Sequence, residues 1–412
     1  MSAKKLKSKS ILLFSILLIA YSALLLYIGA WLIKNGYEYY LKNFIQNKFY
    51  NPFTTFTAIQ NSGQLTAQYK WIKIPNEKKS RYGGLIYNDL KKTFIYGSQD
   101  GYFYNINKDG KINLNSEIPK IPIQNYKKIP DFIEEDRLGL RNIYFDSSDN
   151  SYTALVSELD VDNQCHYIKV LFFLKNSKWK NLDKSPCWNY GTTGSIGGGL
   201  VKIKNNIYYS TGFNTLFYPQ NVPDNIEAKI EKDMLGKVVK LDINTGAKKI
   251  FANGLRNPLG LAISENNKIY EIEMGPQGGD EINIIEENKN YGYPYQTLGV
   301  DYGKKIWPFF KDMPDHKVPI YSFIPSAGPS HIIFDKSFRN KNRLADCQLL
   351  ITTLRHQSLY FARLNNECTQ IQNLERVILN KRLRRIAASY ENITTYAIST
   401  DGTNEIALIV FR

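Results

Sequence analysis

Residues 235–294 read LGKVVKLDINTGAKKIFANGLRNPLGLAISENNKIYEIEMGPQGGDEINIIEENKNYGYP. Three short runs inside this stretch, 238–241, 268–272 and 282–285, are rich in Val, Ile and Tyr, as half-buried strands require. Turn chemistry separates them: Asn244-Thr245-Gly246 follows the first run and Asn266-Asn267 precedes the second. The same rhythm extends in both directions, with strand-like runs at 93–96, 102–106, 142–145, 168–173, 207–209, 349–352, 359–363, 395–398 and 406–411. Asp100-Gly101, Asp109-Gly110 and Asp401-Gly402 supply further hairpin turns. Beyond residue 50 no segment of 12 or more residues carries convincing helical periodicity, and the best helix candidate, 225–234, is short. Many short strands with regular turns predict an all-β sandwich, barrel or propeller. For about 360 residues without a linker, a propeller is the architecture that fits.

Composition narrows the classes further. The chain has 412 residues, and a prior of roughly 150 residues per domain suggests two or three domains unless one propeller takes most of the length. With 29 Tyr and 21 Phe, disorder is excluded. With 27 Gly and 16 Pro, so are collagen-like and linker-like chains. Lys and Arg total 53 against 38 Asp and Glu, a formal net charge of +15. Such a balance suits nucleic acid, an anionic membrane or an acidic ligand. No nucleic-acid-binding motif accompanies it, so nucleic acid is not expected as a partner.

The N-terminus carries a membrane signal. Lys4, Lys5, Lys7 and Lys9 precede an uncharged run at 11–33. As a helix this run reaches about 34 Å, enough for a hydrocarbon core of about 30 Å. Trp31, Tyr37, Tyr39 and Tyr40 suit an interfacial aromatic belt, and the preceding lysines favour a cytoplasmic N-terminus. The reading is therefore a basic tail at 1–10, a single transmembrane anchor at 11–33, a tether at 34–80 and a propeller at 81–412. A bacterial inner-membrane protein with a periplasmic domain is expected, in preference to a cleaved signal peptide, whose apolar core is shorter. Four cysteines allow three pairings. Local separations favour the disulfides Cys165–Cys187 and Cys347–Cys368 in an oxidising compartment over four unrelated buried thiols.

The motifs Leu235-Gly236-Lys237-Val238-Val239-Lys240-Leu241-Asp242, Gly254-Leu255-Arg256-Asn257-Pro258, Met274-Gly275-Pro276-Gln277-Gly278-Gly279-Asp280-Glu281-Ile282-Asn283 and Asn290-Tyr291-Gly292-Tyr293-Pro294 resemble, in order and spacing, the soluble glucose/sorbosone dehydrogenase family. Pro325-Ser326-Ala327-Gly328-Pro329-Ser330, Thr352-Thr353-Leu354-Arg355 and Arg382-Leu383-Arg384 continue the resemblance. It implies a six-bladed β-propeller that uses pyrroloquinoline quinone (PQQ) and Ca²⁺ to oxidise an aldose, sorbosone-type sugar or related alcohol. PQQ is a planar tricarboxylate, and guanidinium forks bind carboxylates bidentately and stack on planar rings. The resemblance accordingly implies Arg256, Asn257, Arg355, Arg382 and Arg384 as cofactor-binding residues. It implies the carbonyls of Gly275 and Pro276 and the carboxylate of Asp280 as calcium ligands, in keeping with the cation's need for hard oxygen donors.

The sequence departs from the family at the general base. The family's His before a Gly-Gly pair is Ser195 here, and its orienting Asp is Phe213. Ser195 without a partner is no base at neutral pH. His331 and His356 are expected near the mouth, with His331 the stronger substitute, while His166 and His316 are expected at the surface. Two functions follow: a PQQ-dependent, membrane-anchored sugar dehydrogenase, or a propeller of the same family that binds without catalysis.

Overall fold

The near-continuous Ile, Val, Tyr and Phe of the short runs produce strands that are buried on both faces, which requires sheets stacked against sheets. A computed structural model describes residues 67–75, 81–123, 138–160, 162–163, 165–189, 195–213, 230–232, 234–299, 312–337 and 347–411. These belong to one unit, Ala58–Asp301 and Ile306–Arg412. The basic tail and the 11–33 anchor lie outside the described residues. Among the described residues, no helix is long and apolar enough to cross a membrane.

The described strands form six sheets arranged as the blades of a propeller, antiparallel throughout except where Lys289–Asn290 runs parallel to Lys248–Asn253. Blade 1 holds Gly83–Asn88, Thr93–Ser98, Phe103–Ile106 and Ile112–Leu114. Blade 2 holds Gly139–Asp146, Ser151–Asp160 and Cys165–Leu174, with Lys180–Lys184 and Trp188–Asn189 both paired to the last. Blade 3 holds Leu200–Ile203, Asn206–Ser210, Val238–Asp242 and Lys248–Asn253, extended by Lys289–Asn290. Blade 4 holds Pro258–Ile263, Ile269–Glu273, Asp280–Ile285 and Tyr321–Phe323. Blade 5 holds Pro329–Asp335, Gln348–Thr353, Ser358–Leu364 and Ile371–Ile378. Blade 6 holds Leu383–Ser389, Thr395–Thr400 and Glu405–Phe411, and its outer strand is Ala67–Lys73. That outer strand falls within the stretch read as a tether. It pairs from Ala67 opposite Phe411 to Lys73 opposite Glu405, so the N-terminal end of the propeller clasps its C-terminal end.

The first strand of each blade is the inner one, and the six inner strands neighbour one another in a closed ring. Six apolar clusters fill the six interfaces between consecutive blades. Tyr270, Ile272 and Ile282 of blade 4 pack on Ile332, Leu349 and Ile351 of blade 5. Leu85, Phe94 and Ile106 of blade 1 pack on Ala397, Ile406 and Leu408 of blade 6, which closes the circle. Both expected disulfides are present, each with Cα atoms 5.6 Å apart. His166, expected at the surface, is instead 0% exposed, its ring edge-on to Trp188. Its strand is buried on both faces, so adjacency to Cys165 carries no exposure.

Candidate functional site

All six inner strands start at the same end of the axis, so the residues just before or at those starts converge on one mouth. Several of these entries are shaped by glycine. Gly197 has φ +87°, and a Cβ there would meet the Ser210 carbonyl at 2.6 Å, so only glycine brings this turn so close to its neighbour. Asn257 Oδ1 accepts the Gly197 N–H at 3.2 Å, joining the entries of blades 3 and 4. Arg141, from blade 2, donates through Nη2 to the Gly197 carbonyl at 2.8 Å and lies 3.7 Å from the ring centroid of Tyr82. Arg384, from blade 6, lies 4.5 Å from the same ring.

The residues singled out by the motifs come together in two groups. In the first, Arg256 and Asn257 sit on the turn into blade 4, and both backbone N–H groups donate to Glu273 Oε2, at 2.6 and 3.2 Å. The Arg256 Nη1 donates to the carbonyls of Met274 and Gly275 at 2.8 and 2.7 Å. The loop from Gly275 folds tightly on itself, because a Cβ at Gly275 would lie 2.1 Å from the Gly279 carbonyl. Asp280 closes this loop: Oδ1 accepts the Gly275 N–H at 3.1 Å, and Oδ2 accepts the Ser326 hydroxyl at 2.6 Å and the Gly328 N–H at 2.8 Å. Burial raises the Asp280 carboxyl despite those bonds and the nearby Arg256 charge. Asp280 is thus fully enclosed and ties blade 4 to the entry of blade 5.

In the second group, Asp401 receives Arg382 Nε at 2.7 Å and Arg384 Nη2 at 2.8 Å. Burial pushes the Asp401 carboxyl up, but the two guanidinium charges outweigh it and hold it below the usual range. Arg382 keeps 43% of its side chain exposed. Arg384 is buried, and its Nε bonds to nothing among the described residues. A buried, undonated guanidinium N–H beside an aromatic ring fits a planar carboxylate-bearing ligand. Arg355 stands exposed at the entry of blade 5, its backbone N–H bonded to the Ala327 carbonyl at 3.1 Å. The mouth therefore fits an anionic cofactor on the observed chemistry of its donors.

The positions at which the resemblance implies a general base and its orienting acid are filled differently. Ser195 is buried, and Phe213 is 1% exposed with its ring edge-on to Tyr293 at 5.4 Å. Neither imidazole nor carboxylate stands at either position. His331 is enclosed on the inner strand of blade 5, where Nδ1 accepts the Ile386 N–H at 3.4 Å. Burial, aided by the Arg385 charge, holds it far below the usual histidine range, so it is neutral. His356 is half-buried with Nδ1 2.7 Å from the Tyr360 hydroxyl, and burial with the Arg376 and Arg355 charges lowers it to about 4.

Sequence reasoning missed Arg141, Tyr82, Asp401 and Arg385 at the mouth. It also missed a buried acidic set in blade 4. Glu273 and Glu281 are cross-strand partners, as are Glu271 and Asn283. Burial raises all three glutamates, Glu281 to about 7, and the charges of neighbouring carboxylates push Glu271 and Glu273 further up. Glu271 Oε1 and Asn283 Oδ1 are buried and bond to nothing among the described residues. These are hard oxygen donors of the kind a divalent cation takes. The signal was two acids two residues apart, hence on one face of a strand, inside an otherwise apolar run.

A family model described as Glucose / Sorbosone dehydrogenase matches residues 203–408. The aldose sugar dehydrogenase YliI of Escherichia coli (strain K12) is 48% identical over 60 residues, covering 14% of this chain and 16% of that protein. Quinoprotein glucose dehydrogenase B of Acinetobacter calcoaceticus is 34% identical over 110 residues, covering 21% and 23%. The chain thus matches less than a quarter of the length of these curated relatives. Among solved structures, the apo form of the soluble aldose sugar dehydrogenase from Escherichia coli aligns over 84% of this chain and 99% of that one, at TM-score 0.65 and 18% identity. The PQQ-bound aldose sugar dehydrogenase from Streptomyces coelicolor aligns over 84% and 99%, at TM-score 0.57 and 15% identity. At these identities the structural likeness is one of fold.

Proposed function

The chain belongs to the glucose/sorbosone dehydrogenase family, whose model spans half of it, and on that premise we propose that it is a PQQ-dependent sugar dehydrogenase-like oxidoreductase. The observation that carries the reading is the Arg382–Asp401–Arg384 clamp with its buried, undonated Arg384 Nε. Arg382 and Arg384 bind carboxylates, Arg384 beside the Tyr82 ring. Arg256 and Asn257 orient the opposite edge, and Arg355 closes the rim. In this reading the carbonyls of Gly275 and Pro276 would hold calcium, the Gly275 oxygen being shared with Arg256 Nη1, while Asp280 contributes by holding their loop. Glu271, Glu273 and Glu281 form a further oxygen-donor set behind the same loop. When bound, PQQ supplies a two-electron acceptor and calcium a Lewis acid for the oxidation of an aldose or related alcohol.

Proton removal from the substrate hydroxyl requires a neutral, accessible base. His331 is neutral but enclosed, whereas His356 is neutral at pH 7, partly open and adjacent to Arg355. His356 is therefore the better substitute for the missing dyad, since Ser195 bonds no imidazole or carboxylate among the described residues. A periplasmic, membrane-anchored location through residues 11–33 completes the proposal, resting on the uncharged run and its flanking lysines. A second reading, a binding propeller without turnover, is favoured by one observation: Phe213 seals the orienting position against Tyr293.

The test is dye-coupled oxidation of a panel of aldoses by the full chain reconstituted with PQQ and Ca²⁺. Sugar-dependent dye reduction is expected, with loss of turnover but retained PQQ binding in His356→Gln. PQQ binding with no turnover on any sugar would instead establish the second reading.

A further inference from the structure

The guanidinium of Arg385 lies where the six blades meet. It projects from the inner strand of blade 6 and is 1% exposed. Nε donates to the Gly83 carbonyl of blade 1 at 3.2 Å, Nη1 to the Leu259 carbonyl of blade 4 at 3.0 Å, and Nη2 to the Arg141 carbonyl of blade 2. A Cβ placed on Gly198, at the entry of blade 3, would lie 3.2 Å from Nη2. On blade 5 the same charge suppresses protonation of His331.

Backbone carbonyls satisfy these donors without cancelling the charge. No carboxylate bonds Arg385 among the described residues, and its charged neighbours Arg384 and Arg141 are cations. The Arg384 charge is already matched by Asp401. Behind the mouth runs an axial cavity of about 330 Å³ lined mostly by aliphatic side chains such as Leu85, Ile143, Val201, Leu261 and Ile332, with Asn142, His331 and Asp89 among its polar residues. Apolar walls screen a charge weakly, so its field reaches the mouth with little loss. A buried unmatched cation is costly to a fold unless a counter-charge arrives.

We infer that Arg385 is a positioning residue acting through its charge, an axial cation that makes the mouth select ligands carrying several carboxylates over uncharged ones. The inference rests on the anionic-cofactor reading of the mouth and adds a residue outside the motifs that suggested it. Arg385 does not touch the ligand. It stabilises the anion from behind while its hydrogen bonds hold the entries of three blades in place.

The experiment compares binding of PQQ, its trimethyl ester and citrate to the full chain in the presence of Ca²⁺, with folding of each variant checked by circular dichroism. For Arg385→Gln, PQQ and citrate should bind at least about tenfold more weakly, and the ester about equally well. Arg385→Lys should stay near wild type. His331→Glu leaves the guanidinium and its hydrogen bonds in place while offering it a carboxylate, and should weaken both anions as Arg385→Gln does, which keeps the test open if that variant fails to fold. Unchanged anion binding in the neutralised variants overturns the inference. So does an equal loss for the ester, or a loss in Arg385→Lys as large as in Arg385→Gln, since either would mark a purely structural role. If wild type binds citrate with this dependence but not PQQ, the proposed function fails and the inference stands. If it binds neither, both fail.

Discussion

Asp401 shows how a single carboxylate organises the mouth. It bonds both Arg382 and Arg384 from behind, and it is buried, so losing its charge leaves the buried Arg384 uncompensated. Asp401→Asn should cost about 3 kcal/mol of stability by that mechanism. The pH dependence has a definite sign. The folded carboxyl is held below its unfolded value, so its contribution is complete above about pH 4 and is lost as pH falls further. Thermal unfolding of wild type and Asp401→Asn across pH 2–7 should therefore converge in acid, and parallel curves would refute the clamp. The arginines themselves were legible because their spacing belongs to a family motif. Asp401 was read only as half of an Asp-Gly turn, and its partnership spans 17 to 19 residues that no local pattern connects. Arg385 lies outside the motif, and nothing local tells its buried guanidinium from a solvated one.

Among elements, the sequence reading and the structure divide by position within the blade. The second and third strands of most blades carry continuous Ile, Val, Tyr and Phe, and their cores were read correctly, as at 268–272 and 282–285 against Ile269–Glu273 and Asp280–Ile285. Inner strands such as Pro258–Ile263, Pro329–Asp335 and Leu383–Ser389 were not read as strands. The first two open on Pro and the third on Leu383 followed by Arg384 and Arg385, as the chain turns in from the mouth, and those residues mask strand propensity. Outer strands such as Lys180–Lys184 and Lys248–Asn253 are polar edges that dilute the alternation. Ala67–Lys73 is the extreme case, since its partner lies at the far end of the chain. This strand covers the edge of Glu405–Phe411 and packs Tyr69 and Trp71 on the blade 5–blade 6 cluster. Replacing residues 67–73 with a Gly-Ser segment should open the ring at its clasp and lower the melting temperature by on the order of 10 °C or more. An unchanged melting curve would show that blade 6 closes without it.

At the scale of the whole molecule, the charge of +15 takes on structure. Four lysines precede the proposed anchor, and Arg141, Arg256, Arg355, Arg382, Arg384 and Arg385 gather at the entries of four of the six blades. One closed ring of blades accounts for a length that suggested several domains. Ser195 and Phe213 stand where the resemblance implies a general base and its orienting acid, so the proposal is tested separately for cofactor binding and for turnover. The central claim is that the mouth holds PQQ through its arginines, and an equilibrium titration of PQQ into the wild type and Arg384→Met, with Ca²⁺ present, tests it most directly. Saturable binding with a shifted quinone absorbance is expected in the wild type, weakened by about a hundredfold in the variant, in line with loss of one buried charged hydrogen-bonding group. No saturable binding in the wild type, or equal affinity in the two proteins, would contradict it.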